Sequence, residues 1–138
     1  MKKIICITTI ICTLNICTYA QDVINVQPGP PGIWQQLGTV NVDFTVNHDD
    51  IVLMGPAEFK SIKFATFDMP VNIMNVNLVY QNGKVDQLNI KYLLPPGGES
   101  RIIDVKRYPI RLRRVTVWYQ TDSLAHGTKA KLALWGMK

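Results

Sequence analysis

Catalytic residue types are scarce in this chain. Among 138 residues there are two histidines, His48 and His126, two glutamates, Glu58 and Glu99, and three cysteines. No Ser/His/Asp set is recognisable, and two isolated glutamates do not form the paired carboxylates of a glycoside hydrolase. A small hydrolase would have to draw on aspartates in a domain that seldom forms the cleft it needs, so the expectation is that the protein is not an enzyme. Helical signals are missing too. No stretch carries the 3.6-residue apolar period with caps. Gly97-Gly98 follows two prolines instead of joining a strand to a helix, which excludes a phosphate loop.

All three cysteines, Cys6, Cys12 and Cys17, fall within residues 1–20. That segment, MKKIICITTIICTLNICTYA, has two lysines, an uncharged apolar stretch and a Thr-Tyr-Ala end, the pattern of a secretory signal peptide cut after Ala20. The apolar run is too short for a bilayer span, which needs about 20 residues. A lipid anchor on Cys17 is disfavoured by the bulky Ile16 before it. The expected mature chain therefore has no cysteine, no disulfide and no transmembrane segment, and it is exported to a periplasm or secreted. Without Lys2 and Lys3 it has 13 basic and 10 acidic residues, a net charge of +3. So mild a charge, together with export, argues against nucleic acid as a partner.

Residues 21–33, QDVINVQPGPPGI, read as a polar, Pro/Gly-rich arm outside the core. Residues 34–138 read as a single domain of alternating strands. Val40, Val42, Phe44 and Val46 take one side of the first strand, and residues 47–50 form a turn. Strands follow at 51–54, 59–67 and 71–80, the last with Met74, Val76, Leu78 and Tyr80 on one side. Asn82-Gly83 predicts a type I′ hairpin, returning through 85–94. Strands at 101–105, 110–121 and 128–135 complete the set. About eight short strands at this spacing predict an all-β fold, an antiparallel two-sheet sandwich of jelly-roll type, with a small β-barrel as the alternative.

Several segments stand in a characteristic order: Trp34…Leu37-Gly38, Asp50-Ile51, Ser100-Arg101-Ile102-Ile103-Asp104, Arg113-Arg114-Val115-Thr116-Val117-Trp118-Tyr119 and Leu134-Trp135-Gly136. The order resembles small exported bacterial β-sandwich proteins of a domain-of-unknown-function family. The resemblance implies the fold and the compartment and carries no site residues with it.

The most distinctive chemistry is basic. Lys106, Arg107, Arg111, Arg113 and Arg114 lie close together, with Tyr108 and Trp118 among them. On a strand, Arg114, Thr116 and Trp118 share the face opposite Val115, Val117 and Tyr119. A ring that stacks on a sugar beside an Arg that donates charge-assisted hydrogen bonds suits a glycan or another envelope component. Arg111, Arg114, Trp118 and Tyr108 are therefore the candidate binding residues. The competing reading makes this a solvated sheet face, with Arg114 covering Trp118. Arg113, in register with Val115, is expected to point inward and pair with Asp104. Asp49 and Asp50 are the candidate ligands if calcium binds; otherwise no cofactor is expected. Trp34 and Trp135 are expected to pack where the first and last strands meet. The alternative function is a structural or protein-interaction subunit that meets a protein partner or forms a homo-oligomer.

Overall fold

The computed structural model describes residues 21–43, 47–67, 69–120 and 129–138. Among these, ten strands and no helix occur: β1 Gln21–Asn25, β2 Gln35–Asp43, β3 His48–Met54, β4 Ser61–Thr66, β5 Val71–Tyr80, β6 Val85–Leu88, β7 Tyr92–Leu94, β8 Ile103–Asp104, β9 Leu112–Tyr119 and β10 Lys129–Met137. One sheet has the order β1-β3-β9-β5-β6, with β7 also paired to β5, and the other has the order β2-β10-β4-β8. Both sheets have free edges, so the molecule is a sandwich and not a barrel.

The jelly-roll expectation holds in detail. Set β1 aside and take β6 and β7 as one interrupted strand. The four-stranded sheet then contains the first, eighth, third and sixth strands, and the larger sheet the second, seventh, fourth and fifth. Successive strands cross between sheets except for the β5–β6 hairpin, which interleaves two Greek keys. Phe59, Ile62, Phe64, Leu132 and Leu134 meet Ile51, Ile73, Leu78, Tyr80 and Leu112 in one core. Alternating apolar residues on facing sheets produce this layer.

Local geometry departs from the expected pattern at five places. Residues 21–25 are not an arm, because β1 pairs in parallel with β3. Ile24 and Val26 are buried, and Ile24 reaches across to Gly38 of β2, where a Cβ would lie 2.9 Å from its Cδ1. Residues 48–50 are not turn but open β3, directly opposite β9. The β5–β6 connection is not type I′, which needs two left-handed residues; Gly83 has φ +84°, and no non-glycine residue has positive φ among those described. Gly83 N–H donates to Tyr80 C=O and Tyr80 N–H to Lys84 C=O, so the loop is an ordinary turn closed by a glycine bulge. An irregularity between Ile73 and Asn75 turns Ile73 inward in place of Met74. A second sets Val79 against Arg114 and Tyr80 against Leu112. Arg113 is the extra residue there, so it points to solvent while Leu112 enters the core. Phe44 and Val46 lie outside the described residues.

Candidate functional site

The outer face of the six-stranded sheet follows from these registers. His48 of β3 lies opposite Trp118 of β9, Asp50 opposite Thr116, and Val52 opposite Arg114. Continuing across, Trp118 meets Asn75 of β5, Thr116 meets Asn77, and Arg114 meets Val79. Asn77 and Val79 then meet Gln87 and Val85 of β6. Because side chains alternate along a strand, every residue in this grid points away from the core.

The grid forms a shallow hollow of about 370 Å³ lined by His48, Asp50, Asn77, Val79, Val85, Gln87, Arg114, Thr116 and Trp118. A second hollow of about 210 Å³ adjoins it, lined by Asn75, Asn77, Gln87, Asn89 and Trp118. Trp118 belongs to both. Its ring stacks on His48 with centroids 5.7 Å apart and planes 26° from parallel, which fixes the indole. Thr116 Oγ1 donates to one oxygen of Asp50, Oδ1, at 2.7 Å.

The remaining polar groups are open. Among the described residues, the side-chain amides of Asn75, Asn77, Gln87 and Asn89 make no hydrogen bond to the protein. Arg114 likewise has no carboxylate within ion-pair distance, and its Nε is enclosed without a hydrogen-bond partner. Each amide presents two donors and a two-lone-pair acceptor.

The four binding candidates separate. Arg114 and Trp118 both line the hollow, and the ring partner of Trp118 is His48. Arg111 and Tyr108 lie in the connection before β9, on a different part of the surface. Arg111 Nε donates to Glu58 Oε1 at 3.1 Å, and Lys60 Nζ lies 5.4 Å from the Tyr108 ring centroid. The basic segment is thus dispersed. Arg107 donates to Asp86 at 3.1 Å, and Tyr80 OH donates to the other oxygen of Asp86 at 2.8 Å. Burial first, then this hydrogen bond, pushes the Tyr80 phenol up to about 12. Arg113 makes no ion pair with Asp104, which is exposed on the opposite sheet.

Asp49 and Asp50 do not converge on one position. They are consecutive strand residues, so their carboxylates face opposite ways. Asp49 is buried and accepts from Tyr119 OH at 2.9 Å, while Asp50 lies on the outer face. Among the described residues no group of three or more His, Cys, Asp or Glu side chains is placed to hold a metal. His126 lies outside the described residues. Sequence reasoning missed His48 as a ring partner and the amides of β5, β6 and the residue that follows β6, Asn89. Their signal is a second alternation, Asn75, Asn77 and then Gln87, Asn89, running opposite the apolar one.

Among the described residues no helix is long and apolar enough to cross a membrane. Comparisons with curated proteins and with solved structures found no match. The family model for "Domain of unknown function (DUF2541)" matches residues 5–136, nearly the whole chain, and the protein belongs to that family.

Proposed function

We propose that this is an exported, non-catalytic binding module that holds a glycan or another cell-envelope component on the outer face of its six-stranded sheet. The observation that carries the reading is the set of four amides without protein partners, Asn75, Asn77, Gln87 and Asn89, arranged beside the fixed indole of Trp118. Sugar hydroxyls both donate and accept, as amides do, and the weakly polar face of a pyranose ring stacks on an indole. Residues 1–20 supply the export signal in this reading.

The test is a thermal-shift and calorimetric screen of the purified exported protein against oligosaccharides and peptidoglycan fragments. A ligand at 100 times its dissociation constant adds about 2.7 kcal/mol to stability, a shift of several degrees. Trp118→Ala should weaken binding tenfold or more, a loss of about 1.4 kcal/mol or greater. If no glycan binds, or Trp118→Ala binds as well as the parent, the reading fails and a protein partner takes its place.

A further inference from the structure

A third hollow, of about 270 Å³, continues the first two. It is lined by Asn89, Ile90, Lys91, Tyr92 and Arg101 and shares Asn89 with the second hollow. The second shares Asn77, Gln87 and Trp118 with the first. The three therefore adjoin in series, the third beside Ile90 and Tyr92, which pack on the core. The spine of this path is the outward side of the β6 segment, where Val85, Gln87, Asn89 and Lys91 are all exposed. β6 ends at Leu88, and the chain turns at Asn89, where Ile90 N–H donates to Leu88 C=O at 2.9 Å, before reaching Lys91.

Charge is distributed unevenly along this path. The middle is lined by amides and one indole and has no charged side chain. One end has Arg114 together with Asp50, and the other has Lys91 and Arg101. Among the described residues none of these three cations is within ion-pair distance of a carboxylate. The carboxylate beside the first end, Asp50, accepts from Thr116 and keeps its negative charge, so the excess of positive charge lies at the Lys91–Arg101 end. Cations without ion pairs at both ends of a hydroxyl-matching trough, in excess at the Lys91–Arg101 end, complement a chain that has hydroxyls throughout and acid groups at intervals.

From this arrangement we infer that the ligand is a linear acidic glycan several sugar units long, lying along β6 with acid groups met by Arg114 at one end and by Lys91 and Arg101 at the other. The inference rests on the glycan reading above. A short sugar occupies only the Trp118 hollows, and length and charge are read by the third.

The experiment is isothermal titration of the purified protein with three probe series. These are oligogalacturonides of two to eight units, neutral cello-oligosaccharides of the same lengths, and a single-stranded oligonucleotide as a phosphate-backbone control. Affinity for the acidic series should rise at least tenfold with length and then level off once the path is filled. It should exceed that for neutral chains of equal length and fall with added salt. The double variant Lys91→Ala/Arg101→Ala should lose about tenfold on the long acidic chains and leave the dimers unchanged. Circular dichroism of this exposed-residue variant checks that it folds. Equal affinity for acidic and neutral chains, or no dependence on length, overturns the inference while leaving the glycan reading intact. Tighter binding of the oligonucleotide than of any sugar also overturns it. Binding of none of the sugars ends both readings.

Discussion

On the outer face of the four-stranded sheet, Lys63 of β4 lies 4.6 Å from the ring centroid of Trp34 and 5.7 Å from that of Trp135. Its ammonium also pairs with Glu99 at 3.3 Å. On the outer face of the six-stranded sheet, Arg114 lies four residues from Trp118 on the same strand and has neither a ring nor a carboxylate as partner. The ingredients are alike, a cation and tryptophan on a sheet surface, but their states differ. In the first case the cation is held by two rings and an acid, all from the chain itself. In the second, the chain gives His48 to the ring and Thr116 to the acid, and leaves the guanidinium and four amides open. Composition alone does not mark a binding surface; what matters is which polar groups remain without partners once the fold has formed.

If that contrast is right, the two tryptophans should respond differently to truncation. Trp135 is half-buried against the Lys63 clasp, on the central pairing of β10 with β2 and β4. Trp135→Ala should cost about 2–3 kcal/mol and lower the melting temperature by roughly 10 °C. Trp118→Ala should cost less than half as much in thermal denaturation. Equal losses would make Trp118 a structural residue, and the contrast between the faces would collapse.

The cations offer a finer comparison. Lys63→Met removes a two-ring cation–π contact and a partly exposed ion pair, together about 1 kcal/mol. Arg114→Met removes a charge whose Nε is enclosed without a partner, so stability should be unchanged or slightly raised. Chemical denaturation of both variants separates the two cases. A loss at Arg114 as large as that at Lys63 would show that the guanidinium already serves the fold.

The strand pattern was legible because apolar alternation in stretches such as 76–80 fixes both the period and the inward face. The jelly-roll order was legible only as a class, since period two does not state which strands become neighbours. Two faces were misassigned, at Met74 and Arg113, for one reason: a bulge adds a residue and inverts the alternation, and no residue in either segment announces it. The site was half legible. Arg114 and Trp118 share a strand face by simple parity, whereas Arg111 and Tyr108 seemed to join them only through nearness in sequence. Their connection leads elsewhere and gives them Glu58 and Lys60 as partners. His48 and the amides come from other strands, so their convergence depends on a register that forms only in the folded chain. The short β1 was hidden by its company, because a Pro/Gly-rich stretch follows directly on the alternation of Ile24 and Val26.

A last comparison sets Arg114, on the outer face of the sheet, against an equally unanswered group on the inward side. Asp22 shares the inward side of β1 with Ile24, and its Oδ2 is buried without a hydrogen-bond partner among the described residues. Burial raises its pKa above the ordinary aspartate value of 3.8. Folding therefore favours the protonated form more than the unfolded chain does. The resulting stability is fully present below the unfolded value and is lost as pH rises through the folded one. Asp22→Asn holds a neutral side chain of the same shape at every pH. The variant should be more stable than the parent at pH 7, by less than about 1 kcal/mol because the residue is only half enclosed. The difference should shrink toward zero below about pH 3, where the carboxyl is protonated in both states. Melting curves of the two proteins from pH 3 to 7 measure it. Curves separated by a constant amount at every pH would mean that the carboxylate is solvated in place. An unanswered group would then carry no cost in this fold, and openness at Arg114 would need no ligand to account for it.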